Sequence, residues 1–298
     1  MTEFWALTKR NNKLFFKDKS MFITSLITPL ILLVLYATFL AKVYKDAFIS
    51  SFPEGFPIDD KLINGAVGGQ LLSSLLAVSC ITVVFCSNLL MVQDKVSGAR
   101  RDLTVSPVRS GVLAGSYFAS SVFVTLIICF CALGAGLIYL AFTGWYMTIL
   151  DILLLVGDVL LLVLFGTALS SLIICNLSTN GQASAVGTIV SSGYGFICGA
   201  YMPLSNFPAV LQKIISFLPG TYGTALLRNH ALRGPFREMA AQGYPSEIID
   251  SIRNGVDCNL YFFGTKVSTL GMFLVVAIST ALLALAYIAL YRLRRNKV

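Results

Sequence analysis

"VQDKVSGARRDLTVSPVRSG", Val92 to Gly111, separates two long apolar walls. It carries Lys95, Arg100, Arg101 and Arg109, with Gly98 near its centre and Pro107 near its end. The chain around it has 298 residues, of which 56% are hydrophobic and only 12% charged. Soluble domains carry about twice that share of charge. A chain this apolar, with a mean hydropathy of +0.81, cannot clothe itself in polar surface. The class is integral membrane protein, and the quoted stretch is one of its few polar connections.

A helix needs about 20 apolar residues to cross a bilayer core, and six stretches qualify, at roughly 21–41, 67–92, 112–142, 149–175, 182–202 and 267–291. The first is read as a permanent span, because its apolar run is longer than a cleavable signal needs. Basic residues orient the set. Lys9, Arg10, Lys13, Lys17 and Lys19 precede the first span. Lys95, Arg100, Arg101 and Arg109 follow the second, and Arg292, Arg294, Arg295 and Lys297 follow the sixth. These 13 of the 22 Lys and Arg fall on one side, which the positive-inside rule makes the cytoplasm, with both termini there. This accounts for the net charge of +8 without nucleic acid as a partner.

Two short amphipathic helices belong on that inner surface. In residues 1–20, Lys9, Lys13 and Lys17 recur at i+4, while Phe4, Leu7, Leu14 and Phe15 fall on another face. That pattern suits an interfacial helix drawn to acidic membrane lipid. In residues 93–106, Val96, Ala99 and Leu103 share one helical face while Lys95, Arg101 and Asp102 point elsewhere. Ser106 and Pro107 fit the cap and first position of the next helix.

After the fifth span, Pro203, Pro208 and Pro219 come too close together for continuous helix. Between the last two, Val210, Leu211, Ile214, Ile215 and Leu218 keep a helical apolar stripe. One short helix that enters the outer leaflet and returns reconciles these facts, within a re-entrant and extracytoplasmic segment at 203–266. The polar part from about 229 to 265 reads as short helices between Gly and Pro breaks.

Catalytic chemistry is absent. No G-x-x-x-x-G-K-[ST] phosphate cradle occurs, and a single histidine, His230, supports no nucleophile–base pair or metal set. The chain therefore holds no cofactor of its own. Six of the seven cysteines lie in apolar runs and read as small buried hydrophobes, and Cys258 stands alone. Within the spans, Asp158 is a costly carboxylate with no Lys or Arg in any span to pair with it, so it is expected either protonated or hydrogen-bonded to Asn88, Gln70 or a Ser or Thr hydroxyl. Phe85 and Phe196, with Asn88 and Asp158, are candidates to line a substrate path.

Taken together, the chain resembles the membrane subunit of the type-2 ABC exporters. Asp94, Gly98, Leu103 and Pro107 match that family's acidic–Gly–Leu–Pro pattern after the second span. Gly199, Pro203, Phe207, Pro208, Leu211, Ile214, Pro219, Tyr222 and Arg228 match its motif after the fifth. Asp94 stands where Glu is usual, Gly115-Ser116 replaces a frequent Gly-Lys, and the segment before the last span is longer than in compact members.

The resemblance implies a single all-α permease domain over 1–298, with six transmembrane helices, an interfacial helix, a cytoplasmic coupling helix at 93–106 and a re-entrant element after the fifth span. It also implies a second permease copy, identical or paralogous, and a dimeric ABC ATPase that binds ATP and Mg. Asp94, Gly98, Leu103 and Pro107 would then form the coupling element, and charge adds Arg100 and Arg101 as contacts to the ATPase. The cargo expected is amphipathic, with drug (multidrug resistance), peptide antibiotic and lipid-linked glycan all open, exported across a bacterial cell membrane. Two other readings stand beside it: an ion- or proton-coupled secondary carrier using Asp158, and a non-transporting, peptide-binding immunity or sensor membrane protein.

Overall fold

A computed structural model of the chain describes residues 2–50, 59–106 and 108–295. Helix α1, Thr2–Lys17, packs Leu7, Asn11 and Phe15 inward at i, i+4 and i+8, while Lys9, Lys13 and Lys17 remain exposed. Asp18 then caps α2, Lys19–Leu35, by accepting from the amides of Ser20 and Met21 at 3.0 and 3.1 Å. The carboxylate satisfies amides that a fresh helix start leaves unpaired. A π-helical turn, Tyr36–Leu40, joins α2 to α3, Ala41–Ser50.

The longest element is α4, Asp60–Val96, whose 37 residues reach about 55 Å. Nearly its whole length is buried, and α2, α6 (Ser110–Thr143), α7 (Ile149–Ile174), α8 (Asn180–Ile197) and α10 (Pro219–Ala231) all pack on it. Burial of this kind in lipid is not driven by hydrophobicity, since lipid is as apolar as leucine. Close backbone approach supplies the attraction instead. A Cβ on Gly69 would sit 2.9 Å from the Ala231 carbonyl oxygen of α10, and one on Gly166 of α7 would sit 3.1 Å from the Cys80 carbonyl oxygen of α4. A side chain at either glycine would press the paired helices apart.

Among the described residues, five helical stretches are long and apolar enough to cross a membrane: Lys19–Asp46, Asp60–Val96, Ser110–Thr143, Ile149–Ile174 and Thr269–Tyr291 of α13 (Thr269–Arg295). The span expected at 182–202 differs. α8 has 18 residues, rich in Gly and Ser, and ends at Ile197, where Gly199 turns the chain with φ of +74°. It falls outside the set of five.

The segment after α8 holds more helix than one return stroke. A 3-10 turn at Leu204–Asn206 leads to α9, Ala209–Ile215, and Pro219 opens α10 at its first position. α10 is sheathed by α4, α7 and α13, while on α9 only Ile215 is buried and Val210, Leu211 and Ile214 are exposed. The short helix expected between Pro208 and Pro219 is α9, and the buried helix, α10, follows it beyond Pro219. Two further helices, α11 (Arg233–Ala241) and α12 (Ser246–Gly255), precede a hairpin of β1 (Leu260–Phe262) and β2 (Thr265–Val267), paired Leu260 to Val267 and Phe262 to Thr265. Cysteines follow the reading except for two in the spans: Cys131 is exposed and Cys86 half-buried.

Candidate functional site

The end of α4 is where the polar residues gather. α4 runs through Asp94 to Val96, and Gly98 adopts φ of +82°, a left-handed conformation that ends a helix at little cost only in glycine. A seven-residue helix, α5 (Ala99–Val105), starts beyond it. The expected single helix over 93–106 is therefore two helices joined by a hinge, and Val96 and Leu103 lie on opposite sides of it. Leu103 packs on the core, whereas Arg101 is exposed and Val105 is 83% exposed. Ser106 does not cap the next helix: its hydroxyl donates to the Leu103 carbonyl at 2.6 Å, and α6 starts at Ser110. Pro107 lies outside the described residues.

Asp94 is held inside the chain and is 4% exposed. Arg10 of α1 donates to both its oxygens, at 2.6 and 3.0 Å, and the Tyr117 hydroxyl of α6 donates at 2.5 Å. A bidentate guanidinium–carboxylate pair is among the stronger and more directional contacts available. The bond to Asp94 lifts the Arg10 guanidinium further above its ordinary range. Two side-chain bonds complete the clasp, from Asn11 to Ser116 at 3.5 Å and from Ser120 to Asn12 at 2.6 Å.

The neighbouring cations extend this knot. Lys95 donates to the carbonyls of Cys175 and Leu177, at 2.7 and 2.6 Å, and so closes the C-terminal end of α7 with a positive charge where the helix dipole favours one. Arg100 lies over the Tyr291 ring at 5.6 Å and donates to its hydroxyl at 3.4 Å, tying α5 to α13. Arg100 is thus engaged within the chain, and Arg101 alone of the pair projects outward. Five spanning or interfacial helices meet through these contacts at the base of α5.

The four candidate path residues do not converge. Asn88 donates to Ser170 and Ser171 at 2.9 and 3.2 Å and accepts from Ser121 at 2.6 Å, a satisfied knot among α4, α6 and α7. Phe85 is buried one turn away, while Phe196 is half exposed on α8, edge-on to Tyr201 at 5.0 Å. Asp158 lies twelve residues before Ser170, about 18 Å along α7. Its partner is neither Asn88 nor Gln70 but His230 of α10, whose Nδ1 is 2.5 Å from Oδ2. Sequence reading passed over His230 because it stands in a polar-looking stretch.

At the opposite end, Arg228 is 1% exposed. It donates to the carbonyls of Gly199 and Val256, at 2.6 and 2.9 Å, and lies 3.3 Å from the Asp257 carboxylate. The same Asp257 oxygen accepts from the Leu204 amide at 2.8 Å. Burial pushes the Asp257 carboxyl up, and Arg228 opposes the shift. One guanidinium thereby binds the turn after α8, the Pro203 segment and the strand-side turn into a single unit.

A long buried central helix, a short helix set off by Gly98 at one end and a proline-punctuated helix pair at the other define a multi-pass, all-α membrane protein. A model of the ABC-2 type transporter family matches residues 2–231, and the chain belongs to that family. It is a membrane component of an ABC transporter of this type. The match ends at Ala231, the last residue of α10. No curated protein matches the chain.

Proposed function

We propose that the chain is the permease subunit of an exporter that moves an amphipathic molecule out of a bacterial cell, driven by a separate ATPase. The observation that carries this reading is the Arg10–Asp94–Tyr117 clasp beneath the Gly98 hinge. It fixes α1, α4 and α6 as one body, against which the short helix α5 is seated by Leu103 and by the Arg100–Tyr291 contact, with Arg101 outward. A push on α5 is then delivered to the central helix instead of being absorbed by a loop. Asp94 and Gly98 serve as clasp and hinge, Leu103 seats α5 on the bundle, Pro107 is assigned with them from the family pattern, and Arg101 meets acidic groups of the ATPase. ATP and Mg are held by that partner.

In the same reading α8 makes the sixth crossing, α9 and α10 form the re-entrant element, both termini are cytoplasmic, and two permease copies, identical or paralogous, surround the path. Drug, peptide antibiotic and lipid-linked glycan remain the cargo classes. The Asp158–His230 pair favours one competing reading, a proton-coupled carrier, which requires transport by the isolated chain under a pH gradient. Coexpression with an ABC ATPase tests the exporter reading. The ATPase should copurify with the wild-type chain, and Arg101→Glu should lower its recovery at unchanged permease abundance. Recovery unaffected by the substitution removes Arg101 from the contact, and no copurification at all removes the reading.

A further inference from the structure

A groove of about 890 Å³ lies between the start of α6 and the end of α13, within the range of about 300–1,000 Å³ typical of small-molecule sites. Its floor is made of small residues, Gly115 and Ala284 among them, and its walls include Phe118, Tyr287 and Ile288. Phe118 and Tyr287 are stacked with centroids 6.4 Å apart, and the Tyr287 hydroxyl donates to the Ala114 carbonyl at 3.4 Å, so the inner wall is fixed. The outer wall opens sideways. Ile288 is 48% exposed and continues the exposed stripe Leu270, Leu274, Ile278, Leu282 and Leu285 along one face of α13.

Charge is confined to one end. Arg109 lines the groove at the α5 side, is exposed, and makes no ion pair among the described residues; no carboxylate lines the groove. Tyr291, also in the lining, carries the Arg100 guanidinium on its ring. An apolar slot open to the lipid-facing side of a spanning helix, with an uncompensated cation at the depth of the interface, is complementary to an amphiphile whose head is negative.

We propose that this groove holds one anionic phospholipid of the leaflet on the α5 side, its phosphate at Arg109 and an acyl chain along Phe118, Ala284 and Ile288. In the orientation proposed above this is the inner leaflet, and only that label depends on the transport reading. The lipid would brace the joint at which α5 passes into α6 against α13.

The test is lipid retention by the purified full chain. The protein is placed in nanodiscs of equal phosphatidylglycerol and phosphatidylcholine, and lipids that survive transfer to detergent are counted by native mass spectrometry. Wild type should keep one phosphatidylglycerol per chain in preference to phosphatidylcholine. Arg109→Ala should lower that retention about fivefold, the worth of one basic residue at an anionic surface. Arg109→Lys should keep it, as should Lys13→Ala on the exposed face of α1. Ala284→Trp, which fills the slot without touching the charge, should abolish retention while thermal stability and abundance hold. Retention unchanged in both Arg109→Ala and Ala284→Trp overturns the proposal. So does equal retention of the two lipids, or an Ala284→Trp chain that loses a permease dimer and keeps its lipid. The measurement needs no ATPase, so its failure leaves the transport reading where it stands.

Discussion

Asp158 and His230 show how a single pairing changes the meaning of a residue. A carboxylate at bilayer depth is costly and invites a transport role, but here it meets an imidazole on a neighbouring helix at 2.5 Å. The contact joins α7 to α10, so it holds the buried helix of the outer segment in place. If that is its work, a neutral hydrogen-bonding group should serve. Asp158→Asn is expected to keep ATP-driven transport within about twofold, while Asp158→Leu leaves His230 unpaired and costs about 1–3 kcal/mol of thermal stability. Loss of transport in Asp158→Asn at full abundance would return the residue to proton chemistry. Sequence alone showed that Asp158 needed a partner, and that no Lys or Arg in a span could be it. It did not show which element folds back, because the three prolines mark breaks without saying which intervening helix is buried.

The elements divide into those whose amphipathic pattern is complete locally and those that only tertiary packing explains. α1 was legible, since its lysines at i+4 stand clear of the face that carries Leu7 and Phe15. Arg10 was not, because its role depends on Asp94, 84 residues away. The hinge at Gly98 was half legible: the glycine was visible, its φ of +82° was not. A Cβ there would meet nothing within 4 Å, so Gly98→Ala adds no clash and only backbone strain, about 1–2 kcal/mol. That strain should bend α5 away from its seat, and hydrolysis by the bound ATPase should persist while transport falls. Equal loss of both activities would deny the hinge a coupling role.

The outer unit offers a parallel test through Arg228. Breaking a buried ion pair by removing one partner costs about 3–5 kcal/mol, so Arg228→Ala should loosen the segment that carries Cys258. Burial pushes that thiol up to about 12, leaving it almost wholly protonated at about pH 8. In a chain whose other cysteines are replaced, Cys258 should resist maleimide in the parent and react in Arg228→Ala. Labelling at equal rates would show that Arg228 does not hold the unit closed.

At the scale of the whole molecule, α4 is the common partner. It receives the clasp at one end and touches α10 at Gly69 toward the other, so a rigid helix about 55 Å long spans both sites. The membrane class and most of the spans were legible because lipid imposes long apolar runs. The crossing assigned to α8 was not settled by hydropathy, since the helix is only 18 residues long and its Gly and Ser dilute its apolar run. Nor could a pattern of small residues show that Asn88 closes a knot with three serines.

In the proposed mechanism energy enters from another chain at α5. ATP-dependent cargo uptake into inside-out proteoliposomes, with the permease reconstituted with and without its ATPase, tests this most directly. Uptake should require the ATPase and ATP together and should collapse in Arg101→Glu. Uptake by the permease alone, under an ion or proton gradient and without ATP, would contradict it.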